Sequence, residues 1–333
     1  MVTEFTLSLT GSHAREEGTI QATQDWERGR IDSASLKAAF REDCDSLVDL
    51  QRRVGADYIS DGQLTTAWQD PLSPVTAGFE GLKKGPMVRW YNTNTFYYAP
   101  VIEGDISSDG RAFWNRVGRR YAKTGRLRLA IPDPLTFSEL AVDRHYNRTA
   151  SEGGKDRALF AYADALNAEL RTLERNRVSY VQFSCPALVA RFREKPVRRE
   201  RLGQLGEAIR AAKRGTSIRT GFHTYFGDAS PYLPAIFDAI PVDDIGFDLT
   251  QTDPASLSST RKGIIAGVAD ARTTYLESLD ELGDRVGAVI ERTGSTRITL
   301  APSSDLRYIP RVSGDEKLRR LGALKEELRG GGS

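Results

Sequence analysis

I-R-T-G-F-H-T-Y-F-G, from Ile218 to Gly227, is the stretch that decides the fold, because a strand-forming apolar run ends there in a histidine and a loop. In a barrel or an open sheet of parallel strands, the chemistry lies at the carboxyl ends of the strands. His223 therefore stands where a functional group is expected, as a base or metal ligand or as a satisfied structural side chain. Polar residues at other strand ends favour a functional site.

Around this stretch, eight strand candidates alternate with helices. The predicted strands are Phe5–Ser12, Ala56–Leu64, Leu127–Ile131, Val178–Phe183, Ile218–Phe222, Asp244–Phe247, Gly263–Val268 and Arg297–Leu300. The predicted helices are Asp32–Arg53, Lys155–Arg175, Arg198–Arg214, Pro231–Ala239, Leu279–Arg292 and Asp315–Leu328. This alternation predicts a (β/α)8 TIM barrel that forms a single α/β domain over residues 1–329. The lack of a glycine-rich phosphate loop after the first strand argues against a dinucleotide-binding or P-loop fold.

Residues 65–106 interrupt the alternation and are predicted to be an inserted loop or hairpin after the second strand, with a hairpin within Met87–Val101. The insertion is rich in aromatic residues, namely Trp68, Trp90, Tyr91, Phe96, Tyr97 and Tyr98. They either cover a substrate, or cap the bottom of the barrel or bury a dimer contact. Residues 330–333 are predicted to be a flexible tail.

Composition narrows the class of partner. The chain has 333 residues, 39% of them hydrophobic, and its 47 Lys and Arg against 45 Asp and Glu leave a formal net charge of +2. This balance predicts a small-molecule partner and neither a nucleic-acid nor a membrane surface. Cys44 and Cys185 form no Cys-x-x-Cys pair, which argues against a disulfide framework or a thiolate zinc site. The N-terminus carries no signal-peptide pattern, so a cytoplasmic protein is expected.

Six motifs occur in a fixed order along the chain. They are W-E-R-G-R-I-D-S-A-S-L (26–36), Q-R-R-V-G-A-D-Y-I-S-D-G-Q (51–63), Y-V-Q-F-S-C-P-A-L (180–188), G-F-H-T-Y-F (221–226), K-G-I-I-A-G-V-A-D-A-R-T-T-Y-L-E-S (262–278) and L-A-P-S-S-D-L-R (300–307). Together they resemble the cobalamin-independent methionine synthase family, in particular its short single-barrel members and the catalytic barrel of the two-barrel enzymes.

The resemblance implies a zinc site that is degenerate in this chain. Family members bind zinc through His, Cys, Glu and Cys, and the metal lowers the pKa of the homocysteine thiol that attacks a methyl group. At these positions the chain has His223, Tyr225, Asp248 and Ser304. A protonated tyrosine and a serine are poor zinc ligands, so weak or absent zinc is expected. His223 and Asp248 could still begin a harder, oxygen-rich metal site.

The resemblance also implies an altered substrate pocket. Gln63 and Ser184 stand where the family has carboxylates for the homocysteine ammonium, while Ser12 keeps the Gly-Ser turn that meets the carboxylate. Arg272 stands in place of a proton-donating histidine and is a better anion clamp than an acid. Cys185 replaces a glutamate and is either a nucleophile or an inert buried thiol.

Two functions follow from this resemblance. In the first, the protein is a methyl- or alkyl-transferase with a rebuilt site in methionine biosynthesis and one-carbon metabolism, taking a methyl-folate or methyl-corrinoid donor. Its candidate catalytic residues are His223, Asp248 and Arg272, and its candidate substrate-binding residues are Ser12, Gln63, Ser184, Tyr225 and Ser304. In the second, it is a non-catalytic barrel that partners a zinc-bearing homologue. A corrinoid protein is a further possible partner.

Overall fold

A computed structural model describes residues 3–65, 70–116, 119–146, 154–192 and 196–330. Trp68 of the predicted insertion and residues 331–333 of the predicted tail lie outside the described residues.

The strands form one large parallel sheet and one small sheet. The strands are β1 (Glu4–Leu7), β2 (Glu80–Arg89), β3 (Phe96–Ser107), β4 (Leu127–Pro132), β5 (Val142–Asp143), β6 (Val178–Ser184), β7 (Arg219–Thr224), β8 (Asp244–Asp248), β9 (Gly263–Ala269) and β10 (Arg297–Pro302). The large sheet has the order β1-β10-β9-β8-β7-β6-β4, and all its pairs are parallel. Strands β8 and β9 are buried along their whole length, as expected for strands covered on both faces.

Helices follow most strands of the large sheet. They are α1 (Glu17–Glu27), α2 (Ser33–Arg53), α3 (Ser73–Thr76), α4 (Pro134–Leu140), α5 (Gly154–Arg175), α6 (Pro186–Ala190), α7 (Arg199–Ala212), α8 (Ala235–Ala239), α9 (Leu279–Thr293) and α10 (Arg311–Gly330). Local signals set several ends: the Asp32 side chain caps the first turn of α2, and Ser278 and Glu281 form a capping box at the start of α9. Helices α1, α3, α4 and α6 were not predicted, and α8 begins at Ala235 instead of the predicted Pro231.

The predicted strand Ala56–Leu64 is wrong as a strand, because only Ile59 forms a bridge, to Leu127. The chain turns away where Gly62 and Gln63 take positive φ angles of 69° and 49°, and the Asp61 carboxylate accepts the Gln63 backbone N–H at 3.0 Å. The architecture is an α/β fold whose curled parallel sheet forms a half-barrel.

The hairpin predicted within Met87–Val101 is confirmed and is longer than predicted, because β2 and β3 pair in antiparallel fashion from Glu80 to Ser107. Beside its turn, Trp90 and Tyr91 lie in edge-to-face contact. Tyr91 also packs on Phe226, which follows β7, with ring centroids 6.1 Å apart. The hairpin therefore covers the edge of the sheet at which the parallel strands end, which we call the C-terminal edge.

Among the described residues, none of the helices combines the length and the apolar character that crossing a membrane requires.

Candidate functional site

A cavity of about 40 Å³ lies at the C-terminal edge. It brings together four of the predicted substrate-binding residues, Ser12, Gln63, Ser184 and Tyr225. Trp90 of the hairpin forms part of its wall, so the aromatic insertion covers this site.

Two cavity side chains have defined hydrogen-bonding roles. Gln63 donates its Nε2 to the backbone oxygen of Ala130 at 3.0 Å, so the acceptor that its side chain can offer a ligand is Oε1. The Ser184 hydroxyl oxygen accepts a hydrogen bond from Gln182 Nε2 at 3.0 Å, so its own O–H can donate. These two side chains therefore offer the cavity one amide acceptor and one hydroxyl donor.

A buried arginine fixes the orientation of Gln182. Arg128 is 2% exposed and donates to Gln182 Oε1 and to the Ser8 hydroxyl. With its carbonyl held by the guanidinium, Gln182 directs Nε2 to the Thr10 backbone oxygen at 2.5 Å and to Ser184. Arg128 thus acts on the cavity through two side chains.

Asp305 lines the cavity and was not among the predicted site residues. The Ser12 backbone N–H donates to its Oδ1 at 2.5 Å, and a Cβ added to Gly11 would lie 2.0 Å from the same oxygen. Burial raises the pKa of Asp305, while the positive charge of Arg307 and hydrogen bonds from Ser12, Tyr308 and Tyr225 lower it. The available signal was a carboxylate just after β10, in the quoted motif L-A-P-S-S-D-L-R.

His223 lies near the end of β7 and is fully buried. Its Nε2 donates to the Ser303 backbone oxygen at 2.9 Å, and its Nδ1 has no hydrogen-bond partner among the described residues. Burial lowers the pKa of His223 to about 4, so the imidazole is neutral at neutral pH. The absence of a side chain at Gly246 makes room for it, since a Cβ there would lie 2.4 Å from Nδ1.

The other positions implied as zinc ligands are buried at the same edge. Asp248 accepts the Thr250 N–H at 3.0 Å and its hydroxyl at 2.5 Å, and burial raises the pKa of Asp248. Burial also raises the pKa of Tyr225 far above its usual range. Ser304 is 1% exposed, and its hydroxyl has no hydrogen-bond partner in the part of the chain described.

These residues do not fit the zinc that the resemblance implies. Tyr225 is a neutral phenol, and the Ser304 position offers a hydroxyl group in place of a thiolate. Over the described ranges, no three His, Cys, Asp or Glu side chains are grouped so that they could hold a metal ion.

Arg272 lies outside the cavity, at the end of β9. Its Nε is 3.1 Å from Asp270 Oδ1, and its Nη2 donates to the Thr250 hydroxyl at 3.1 Å, which links it to Asp248. The Arg272 side chain is 32% exposed. Cys185 is fully buried, and burial raises the pKa of its thiol well above the usual value, as expected of an inert cysteine.

Arg272→Ala is expected to lower the free energy of unfolding by about 1 kcal/mol or less, because its ion pair with Asp270 is exposed to solvent. Urea unfolding of the wild type and the variant measures this difference. A loss above about 3 kcal/mol, as expected for a buried ion pair, would contradict it.

The chain is similar to known proteins over nearly its whole length. A family model described as "Cobalamin-independent synthase, N-terminal domain" matches residues 45–294. A methionine synthase of Sulfolobus acidocaldarius is 22% identical over 98% of this chain and 94% of its own length. A 5-methyltetrahydropteroyltriglutamate–homocysteine methyltransferase of Caulobacter vibrioides is 27% identical over 88% of this chain but 35% of its own length.

Solved structures share the fold. A B12-independent methionine synthase from Shewanella sp. W3-18-1, in complex with selenomethionine, aligns with a TM-score of 0.71 at 16% identity, covering 98% of each chain. A methyltransferase from Methanosarcina mazei aligns with a TM-score of 0.60 at 11% identity, covering 99% of this chain and 95% of its own.

Proposed function

Because this chain belongs to the cobalamin-independent methionine synthase family, we propose that it is a methyl- or alkyl-transferase whose rebuilt site works without the family's zinc centre. The observation that carries the proposal is the state of two implied ligands: Tyr225 is a buried neutral phenol, and Ser304 is a buried hydroxyl. The relatives named methionine synthase support the transfer of a methyl group to a sulfur acceptor.

A closed barrel would support this proposal, because it would bring the candidate residues to one site. We infer that the sheet closes as a (β/α)8 barrel, because residues 57–59 hydrogen-bond on both sides. Asp57 N donates to Leu7 O of β1 at 2.9 Å, and Ile59 N donates to Arg126 O, just before β4, at 2.8 Å. Closure directs all strand ends to one site.

The side chains take the following roles in this proposal. Ser12, Gln63, Ser184 and Tyr225 contact the acceptor, while His223 and Ser304 are buried near the ends of β7 and β10 and do not line the cavity. The His223 Nδ1 lone pair and the Asp248 carboxylate orient the acceptor or remove its proton. The acceptor forms a bond to the alkyl group while the bond between that group and the donor breaks. Arg272, at the outer margin of the edge, holds an anionic group of a methyl-folate or methyl-corrinoid donor.

A non-catalytic barrel that partners a homologue is the second candidate. Two observations favour it: the matching model describes an N-terminal domain, and the chain spans about a third of the Caulobacter enzyme. Co-purification with a zinc-bearing homologue, with activity appearing only in the mixture, would support this candidate over the first.

The purified protein is expected to hold less than one zinc per chain and to make no methionine from homocysteine and methyl-folate, because two implied ligands are neutral hydroxyl groups. Metal analysis by mass spectrometry and a methionine assay measure this, with a zinc-bearing homologue as the positive control. Stoichiometric zinc that resists chelator, together with methionine formation, would refute the rebuilt site.

Transfer itself is tested by mass spectrometry of a donor incubated with the protein and a panel of thiols. Loss of the methyl group from methyl-folate or methylcobalamin, matched by a methylated thiol, is the expected result. Absence of transfer with every donor and thiol, alone and with a homologue present, would reject both candidate functions.

A further inference from the structure

The cavity contains a backbone turn that can bind an anion, and in this protein the Asp305 carboxylate occupies that turn. The Ser12 backbone N–H, in the Gly11–Ser12 turn, donates to Asp305 Oδ1 at 2.5 Å. The turn accommodates this oxygen only because Gly11 has no side chain, since an added Cβ would lie 2.0 Å away. A backbone N–H of this kind is a preferred donor to a carboxylate, and here that donor is already used.

Further groups contact the Asp305 carboxylate. The Tyr308 hydroxyl lies 3.4 Å from Oδ2, and the Tyr225 hydroxyl also contacts the carboxylate. Arg307 lines the same cavity, and its positive charge lowers the pKa of Asp305. A second carboxylate, from a ligand, would meet the negative charge of Asp305 and a backbone donor that is already engaged.

The remaining polar capacity of the cavity is mainly that of an acceptor. A carboxylate offers about four acceptor positions, and three donors contact Asp305, which leaves one for a ligand. Gln63 adds its Oε1, because its Nε2 is bonded to Ala130. Two acceptor oxygens in one small cavity suit a primary ammonium group, which has three N–H donors.

The apolar wall and the volume limit what the ammonium can carry. Trp90, Phe113, Ile131 and Pro132 line the cavity, whose volume is about 40 Å³. We infer that Asp305 makes the cavity specific for a short primary amine that lacks a carboxylate, and excludes amino acids. This inference rests on the proposed function in one respect, namely that the amine would carry a thiol as the group that accepts the methyl or alkyl group.

The test compares ligands that differ by one group. Cysteamine and L-cysteine share a thiol and an ammonium, and only L-cysteine has a carboxylate, while propylamine keeps the ammonium without a thiol. Isothermal titration calorimetry of the wild type is expected to show cysteamine and propylamine binding at least about ten-fold more tightly than L-cysteine, a discrimination of about 1.4 kcal/mol. Propylamine binding separates this inference from the proposed function, because it does not depend on thiol transfer.

Asp305→Asn removes the charge and retains the shape. It is expected to weaken cysteamine binding by at least about ten-fold and to reduce the discrimination against L-cysteine to less than about two-fold. The Asp305 side chain does not cap the short helix that follows it, so the variant should fold, and a thermal melt checks this. Asp305→Ser is the second variant, and Asp284→Asn on the exposed face of α9 is the matched control, with wild-type binding expected.

Equal binding of cysteamine and L-cysteine, tighter binding of L-cysteine, or no binding of either amine by the wild type would overturn the inference. It would also be overturned if folded Asp305→Asn and Asp305→Ser both kept the wild-type ratio of affinities. Amine binding in a protein that fails to transfer a methyl group would leave the inference standing and reject the proposed function.

Discussion

Lys317→Ala is expected to lower the free energy of unfolding by about 3 to 5 kcal/mol, the range for removing one member of a buried ion pair. Lys317 on α10 is fully buried, and its Nζ donates to Glu277 Oε2 at 2.8 Å. The Glu277 side chain is 3% exposed, so without Lys317 its carboxylate would remain buried without its closest cation, because Arg285 is 4.0 Å away. Urea unfolding at neutral pH measures the loss.

The same helix carries a matched control. Arg319 pairs with Glu316 at 3.2 Å, but both side chains are exposed, at 50% and 38%. Arg319→Ala is therefore expected to cost about 0.5 kcal/mol or less. Adding Glu277→Gln to Lys317→Ala should recover part of the loss, because the stranded charge is then removed. A loss below about 1 kcal/mol for Lys317→Ala would show that water or another cation reaches Glu277.

Glu277 also connects this ion pair to the C-terminal edge. Its Oε1 accepts the backbone N–H of Asp270 at 2.7 Å, and Asp270 holds Arg272. The turn after β9 is thus held by two charge pairs, the buried pair of Lys317 with Glu277 and the exposed pair of Arg272 with Asp270. Local charge explains why Arg272 is held away from the cavity: its guanidinium and its backbone N–H both bond to the nearby Asp270.

The sequence predicted which strand ends would face one site and four of the side chains that line its cavity, but not the carboxylate of Asp305. Ser12, Gln63, Ser184 and Tyr225 meet at one cavity, because parallel strands place their carboxyl ends together. Asp305 was not predicted, because in the motif L-A-P-S-S-D-L-R the position that matches a zinc ligand of the family is the neighbouring Ser304. The decisive contact is a hydrogen bond between residues 293 positions apart, which no local pattern records.

The second strand shows the same limit in the backbone. Residues 56–64 have the apolar alternation of a strand, yet the hydrogen-bonded ladder reaches only Ile59. Beyond it, Gln51 uses both ends of its side-chain amide on the backbone of Ser60, at 2.6 and 2.9 Å. A side chain from α2 thus replaces the neighbouring strand. Such a substitution depends on the packing of α2 and is not encoded in the periodicity of the strand itself.

The buried histidines should make the protein sensitive to acid. Burial is the main cause that lowers the pKa of His13 to about 3 and of His223 to about 4, against an ordinary value near 6.5. Below that value the unfolded chain binds protons that the folded chain does not, so the free energy of unfolding falls as the pH falls. Each histidine is expected to remove about 2.5 kcal/mol between about pH 7.5 and about pH 4.5.

Carboxylates oppose this trend, so the histidine contribution must be isolated by difference. Burial raises the pKa of Asp133 to about 6, and protonation of Asp133 therefore stabilises the folded state as the pH falls below that value. The double variant His13→Asn/His223→Gln keeps these carboxylates and removes both imidazoles. Its free energy of unfolding should fall by about 5 kcal/mol less than that of the wild type over the same pH range.

Urea unfolding at several pH values measures this difference, and only the change with pH is compared, because the substitutions also alter packing. His145→Asn is the control, since it removes the remaining histidine, at the surface, and retains both buried imidazoles. Parallel pH curves for the wild type and the double variant would mean that water reaches the imidazoles and that both titrate normally in the folded state. His223 would then be protonated in mildly acidic solution, and its neutral Nδ1 lone pair could not serve the acceptor there.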